Sequence, residues 1–289
     1  MRRVEWPFVG AEALTSKAIP ERAMRCLYEP VYPGVYAPVG IELTAVQRAQ
    51  AAWLWSRRRA VVAGNSAAAL LGAKWVSPTL DAELVHTNRR PPPRLVVHLD
   101  MLSGSEALMI DGISVTTPAR TAFDIGRRTT VRLHAVQRLD ALLNATDVKV
   151  EDVEAVAAQH LGVRGLVQLR RVLPLVDGGA ESPQETRTRL ALIDAGLPKP
   201  QTQIRVYNEY GDFVARIDMG YRELRVGVEY DGPQHWTDPA QHARDIERQA
   251  ALTDLGWTIV RVSSELLRYR RGTFIARVVA AMEAAGWRP

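Results

Sequence analysis

The chain is poor in cysteine: of 289 residues only Cys26 carries a thiol. A single thiol excludes an internal disulfide, a CxxC redox pair and a cysteine-rich zinc site. Long apolar runs are missing too. None approaches the ~20 residues that cross a bilayer as a helix, and Met1-Arg2-Arg3-Val4-Glu5-Trp6-Pro7 has no signal-peptide core. The expected setting is therefore the cytoplasm, with no membrane partner. Low-complexity tracts, and repeats at a period of roughly 20–50 residues, are also absent.

What is present suits a folded, soluble chain. Hydrophobic residues make up 47% and charged residues 24%, which excludes wholesale disorder. The length is about twice the ~150 residues of a usual domain, so two or three domains are expected. The net charge is +5: residues 1–179 carry 22 Lys and Arg against 17 Asp and Glu, and residues 180–289 carry 15 against 15. A basic front beside a neutral, carboxylate-bearing rear suits a nucleic-acid protein that holds its partner with one region and acts with another. A general arginine excess gives the same figures. Arg57, Arg58 and Arg59 in the front, with Arg244 and Arg248 in the rear, are the candidate nucleic-acid contacts.

The strongest break is Val176-Asp177-Gly178-Gly179-Ala180-Glu181-Ser182-Pro183, a Gly-rich stretch ending in a helix start. A softer one lies near Val39-Gly40. Domains are thus expected over 1–40, 41–178 and 179–289. Arg89-Arg90-Pro91-Pro92-Pro93-Arg94 reads as a stiff surface loop within the middle region. In the front unit, helical stretches at Gly10–Leu14 and Glu21–Leu27 precede a hairpin turning at Pro33-Gly34. Helices followed by a β-wing describe a small winged-helix-like unit, which reads DNA with one helix in the major groove.

The middle region reads as mixed α/β, making the front as a whole α+β. Helices are expected over Thr44–Arg59 and Ala63–Leu71, the second capped by Asn65 or Ser66. Short strands follow around Leu84–His86, Leu95–Leu99 and Ile113–Thr116. Thr117 caps a helix with Pro118 at its first position, and Arg120 and Asp124, four apart, form a structural ion pair on one helical face. Helices near Leu133–Asn144, Val150–Gln159 and Leu166–Leu173 complete the region. The segments Pro33-Gly34-Val35-Tyr36-Ala37-Pro38, Gly64-Asn65-Ser66-Ala67-Ala68-Ala69-Leu70-Leu71-Gly72 and Thr116-Thr117-Pro118-Ala119-Arg120-Thr121-Ala122-Phe123-Asp124 resemble the AbiEi-type antitoxin family. That resemblance, over about 9–178, implies an N-terminal winged helix that binds operator DNA. It also raises a toxin partner or a homodimer.

The rear reads α-β-β-β-α-β-α, a three-layer α/β arrangement. Ser182 caps its first helix, strands run at Thr202–Tyr207, Phe213–Met219, Leu224–Glu229 and Trp257–Ser263, and helices at Pro239–Leu255 and Glu265–Ala285. Two central strands end in acids, at Asp218 and at Glu229-Tyr230-Asp231. A turn centred on Arg222-Glu223 would pair Asp218 with Gly227, making Glu229 its diagonal neighbour on one face, which Asp231 shares. Three acids on one face repel unless a cation holds them, and Mg2+ suits such a set. Glu185 offers a fourth carboxylate, although Ser182-Pro183-Gln184-Glu185 is also a capping box, and the two roles are compatible.

Ile217-Asp218, Val228-Glu229-Tyr230-Asp231-Gly232-Pro233-Gln234-His235, and Arg244-Asp245-Ile246-Glu247-Arg248 before Leu255-Gly256-Trp257-Thr258-Ile259-Val260-Arg261 resemble the PD-(D/E)XK nucleases, nearest their very-short-patch-repair branch. The resemblance covers about 183–289. It implies a restriction-endonuclease-like domain that hydrolyses phosphodiesters with Mg2+ (or Mn2+), Asp218 and Glu229 serving as ligands. Asp231 stands where the motif has its lysine. There it either adds a ligand, takes a proton from water, or caps the following turn. His235 is the candidate for the other proton-transfer role. Trp236 and Trp257 read as packing residues. The expected activity is a metal-dependent endonuclease acting on DNA, most naturally duplex. Two alternatives stand beside it: a non-catalytic antitoxin or repressor with an inactive nuclease fold, and an RNA nuclease.

Overall fold

The computed structural model describes residues 5–232 and 239–288, which form two compact units, Met1–Val176 and Asp177–Pro289. The first begins with β1 (Phe8–Val9), α1 (Gly10–Thr15), α2 (Glu21–Leu27) and the hairpin β2 (Tyr28–Tyr32) and β3 (Val35–Pro38). Pro33 and Gly34 close the hairpin, Tyr32 facing Val35, because Gly34 at φ 82° takes the left-handed conformation this turn needs. The three strands form an antiparallel sheet in the order β1-β3-β2. Phe8, Ala13, Ile19 and Met24 close a small core beside it.

Helix α3 (Ala45–Trp55) starts at a full capping box between Thr44 and Gln47. Its alanines Ala49, Ala51 and Ala52 are small enough to pack closely on Tyr32, Val35 and the next sheet. That sheet runs β6-β5-β4-β8-β7, from β4 (Val61–Val62), β5 (Ala82–Val85), β6 (Leu95–His98), β7 (Ala107–Ile110) and β8 (Ile113–Thr116). Helix α4 (Gly64–Leu70) follows β4, and neither expected cap serves it, since its N-cap is Ala63. Asn65 and Ser66 turn instead to β5, Asn65 donating to the Glu83 carboxylate and Ser66 Oγ accepting from the Glu83 amide. Helices α5 (Pro118–Arg128), α6 (Arg132–Ala145), α7 (Val150–Gln159) and α8 (Leu166–Val172) complete the unit. Thr117 caps α5 as its sequence suggests.

The second unit runs α9 (Pro183–Asp194), β9 (Gln201–Tyr207), β10 (Phe213–Tyr221), β11 (Val226–Asp231), α10 (Pro239–Asp254), β12 (Thr258–Ser263), α11 (Ser264–Tyr269) and α12 (Arg271–Ala284). Its sheet has the order β12-β11-β10-β9, antiparallel except for the β11–β12 pair. One face packs Met219, Val228 and Val262 against Leu192, Phe274, Val278 and Met282 of α9 and α12. The other packs Ile204, Ala215 and Ile217 against Leu252 and Trp257, below α10. Three layers result. The single closing helix expected from sequence is two helices, broken at Arg270 (φ −135°, ψ 38°) beside the weak helix former Gly272.

Candidate active site

Strands β10 and β11 pair Tyr221 with Val226, Gly220 with Gly227, and Met219 with Val228. The strands approach closely here, since a Cβ on Gly220 would run into the Val226 carbonyl and the Gly227 Cα. This corrects the expected pairing of Asp218 with Gly227. The turn is longer than assumed: a 3-10 turn at Arg222–Leu224 is followed by Arg225 in the left-handed region at φ 50°. The register therefore moves by two residues, which keeps side chains on their faces. Past Met219, Asp218 Oδ2 accepts the Tyr230 amide at 2.9 Å, so a side chain takes the place of a ladder bond.

The alternation of β10 breaks at Asp218, because Ile217 and Met219, two apart, belong to opposite cores. On β9, Gln203 lies between Thr202, which faces Met219, and Ile204, which faces Ile217. Gln203 sits at φ 51°, a left-handed conformation that costs a non-glycine residue of the order of 1 to 3 kcal/mol. Irregular backbone thus gathers around one carboxylate.

Burial pushes Asp218 up to about 6; the Tyr230 amide opposes this, Glu185 and Glu229 add to it, and Arg248 offsets part. Glu185 is also buried and pushed up, chiefly by burial, against the hydrogen bond from the Glu181 amide. Ser182 Oγ accepts the Glu185 amide at 3.2 Å, as a cap should. The return half of the capping box differs from expectation, since the Glu185 carboxylate takes the Glu181 amide at 2.9 Å. Gln203 Nε2 donates to the same carboxylate oxygen at 3.3 Å, while Gln203 Oε1 is buried without a hydrogen-bond partner.

Glu229 is 8% exposed, and both its oxygens are taken by one guanidinium. Arg248 of α10 donates through Nη1 to Oε1 at 2.7 Å and through Nη2 to Oε2 at 2.9 Å. Asp231, opposite Ser263 in the ladder, lines an open hollow of about 980 Å³ together with Glu229, Arg248, Arg261 and Arg277. The structure thus couples Glu185, Asp218 and Glu229, with Asp231 two residues further along β11. His235 and Trp236 lie outside the described residues. Trp257 is buried in the core, as its sequence context suggests. Arg244 is exposed on α10. Arg57, Arg58 and Arg59 belong to the first unit, where Arg58 is forked onto Glu12 at 2.6 Å on each arm and lies 5.9 Å from the Trp53 ring centre. Arg57 and Arg59 are exposed.

The candidate ligand atoms near Asp218 are oxygens, the carboxylates of Glu185, Asp218 and Glu229, with the unpartnered Gln203 Oε1 on the amide that contacts Glu185. Such a set fits a hard divalent cation such as Mg2+ or Mn2+. As the side chains stand, no trio of His, Cys, Asp and Glu among the described residues is arranged to hold an ion. Glu229 is engaged elsewhere, by Arg248. Sequence reasoning missed Gln203, and nothing in Thr202-Gln203-Ile204 marks a residue whose backbone leaves the strand conformation. Arg248, expected as a nucleic-acid contact, is forked onto Glu229, and Asp245 lies 4.0 Å from its Nε.

Comparison with known proteins divides the chain in the same way. Residues 185–282 match the restriction-endonuclease-like family REase_MTES_1575, and residues 60–175 match the AbiEi antitoxin C-terminal domain. Two proteins of Mycobacterium tuberculosis strains, Uncharacterized protein MT2308 and Uncharacterized protein Rv2248, are each 32% identical over 260 residues. The alignment spans 88% of this chain and 92% of each relative. The chain belongs to their family. No solved structure matches. This chain therefore joins a stretch matching the AbiEi antitoxin C-terminal domain to one matching a restriction-endonuclease-like family. None of its described helices is long and apolar enough to cross a membrane.

Proposed function

We propose that this chain cuts duplex DNA in a reaction dependent on Mg2+ or Mn2+. The observation that carries the reading is buried Glu185 and Glu229 with partly buried Asp218, pushed up to about 6, on a restriction-endonuclease-like domain. Asp218 and Glu229 are the proposed ligands, with Asp231 beside them. Bound there, the ion supplies Lewis-acid polarisation of the phosphate and an acidified water. Glu185, fixed by the Glu181 amide and Gln203, adds negative charge that favours a cation at Asp218. Asp231, in place of the motif lysine, is the proposed proton acceptor, and His235 the donor to the leaving oxygen. The winged-helix-like front and exposed arginines such as Arg57, Arg59 and Arg244 hold the duplex, more weakly as salt rises.

The test is the full chain with plasmid, linear duplex, single-stranded DNA and RNA, in Mg2+, Mn2+ or chelator. Duplex DNA is cut only with metal, and Asp218→Asn lowers the rate at least ~100-fold without unfolding the chain. Equal cutting by the variant would assign the activity to a contaminant. One observation favours a second reading, a non-catalytic antitoxin or repressor that keeps the nuclease fold as a scaffold: Glu229 is closed by Arg248. On that reading the chain binds duplex DNA and cuts nothing with either metal.

A further inference from the structure

We infer that Arg248 is an exchangeable latch on the candidate metal site, released when a nucleic-acid phosphate takes its guanidinium from Glu229. The inference rests on the endonuclease reading and adds to it a coupling between substrate and cation. A carboxylate as buried as Glu229 needs a cation against it, because an unpaired charge there is costly. Arg248 meets that need with a two-pronged fork at 2.7 and 2.9 Å, using both oxygens. A divalent ion would need one of those oxygens in its own coordination shell, at ~2.1 Å. The fork and the ion therefore compete for the same atoms.

Arg248 is built to leave. Its side chain is 28% exposed, whereas that of Glu229 is 10% exposed. It stands on the wall of the 980 Å³ hollow, so a ligand from solvent reaches it without opening the core. A phosphate accepts the same planar fork as a carboxylate and carries at least as much charge, which makes it a direct replacement for Glu229. Asp245, 4.0 Å from Nε on the same helix, keeps a second negative charge beside the guanidinium when Glu229 lets go. Arg261 and Arg277 line the same hollow and raise its affinity for a polyanion. Without a polyanion, Glu229 stays closed and the cation finds only Asp218 and its neighbours. With one, Glu229 is free. The coupling is reciprocal, so metal must also tighten nucleic-acid binding.

The experiment is calorimetric titration of Mn2+ into the full chain, alone and with a short duplex carrying non-hydrolysable linkages, the signal of duplex alone subtracted. Wild type, Arg248→Gln, Arg248→Lys and Glu229→Gln are compared, each first shown by thermal melting to be folded. Wild type alone binds Mn2+ weakly, and the duplex tightens it at least ~10-fold. Arg248→Gln binds Mn2+ at least ~10-fold more tightly than wild type without duplex, and the duplex then adds little. Arg248→Lys, which keeps the charge but lacks the fork, falls between them; should Arg248→Gln fail to fold, it carries the test. Equal or weaker Mn2+ binding by folded Arg248→Gln and Arg248→Lys, or equal tightening by the duplex in wild type and Arg248→Gln, overturns the latch and leaves Arg248 a structural ion pair. No Mn2+ binding by any protein, with or without duplex, removes the metal reading itself, and the latch falls with it.

Discussion

Arg120 in the first unit and Asp218 in the second are both withdrawn from water, yet their surroundings treat charge in opposite ways. Arg120, 1% exposed, reaches Asp124 at 3.0 Å, Glu106 at 2.9 Å and Asp100 at 3.6 Å. Arg127 and Arg128 close on the far sides of Asp100 and Asp124, and His160 meets Glu106 at 2.6 Å. Burial works to raise Asp100 and Glu106, but the arginines at Asp100, and the Ser103 amide, His160 and Arg120 at Glu106, outweigh it and hold both low. In the second unit burial prevails, and Asp218 and Glu185 both rise. A network whose acids are each met by cations is architecture, whereas acids left under-compensated at one place mark a site suited to a cation. Within Thr116–Asp124, one of the three segments that carry the antitoxin likeness, Arg120 and Asp124 thus serve a buried ion network.

The largest effect expected from this contrast is on the first unit. Arg120→Met leaves Asp124, fully buried, and Glu106 short of a partner, and should cost about 3–5 kcal/mol. Urea unfolding of the full chain, followed by hydrogen exchange within residues 118–128, measures it. A loss under ~1 kcal/mol would mean that the arginine is dispensable and the comparison unsound.

The next effect is a pH dependence of opposite sign in the two units. Asp100 and Glu106 have folded values below the unfolded ones, so their stabilisation is present above the ordinary carboxylate range and is lost as pH falls through the lowered values. Asp218 has a folded value above the unfolded one, from 3.8 up to about 6. The folded state therefore binds the extra proton, and the second unit loses stability as pH rises through that window. Asp218→Asn removes that loss. Hydrogen exchange of β10 and β11 from pH 4 to pH 7, with and without the substitution, checks the sign. A wild-type slope unchanged by the substitution would take Asp218 out of the argument.

Much of this contrast could be read from residue types in order. Period-two acids at Glu229 and Asp231, the Ser182-Pro183 helix start and the Arg120–Asp124 spacing are local signals, and the structure contains the elements they announce. The register of β10 on β11 was not legible, because it turns on whether Leu224 and Arg225 belong to the turn, and Arg225 entered the left-handed region without being Gly or Asn. Strand β4, two residues long, is defined by its neighbours β5 and β8 rather than by its own sequence. The engagement of Glu229 by Arg248 joins residues 19 apart, and spacing along the chain does not specify which carboxylate a helical arginine will meet. Asn65 and Ser66 looked like caps for the same reason: their preference for free amides is local, but Glu83 offered partners across the fold.

The smallest effect concerns Gln203, where backbone and side chain can be separated. At φ 51° a glycine pays no steric cost, while alanine keeps the strain of the native residue. Both Gln203→Gly and Gln203→Ala lose the bond from Nε2 to Glu185 and the unpartnered Oε1. The two variants should therefore differ in stability, glycine being the more stable by about 1 kcal/mol. They should agree in Mn2+ affinity, each weaker than wild type by less than ~10-fold, because the missing amide oxygen is common to both. Denaturant unfolding and Mn2+ titration on the same preparations give the two numbers. Equal stability would show that the left-handed backbone at Gln203 is not held in solution. Wild-type Mn2+ affinity in both variants would leave Gln203 a backbone feature of β9 and restrict the cation's surroundings to carboxylates. A fall in affinity alongside the stability difference would separate two roles in one residue, the strain belonging to the strand and the oxygen to the site.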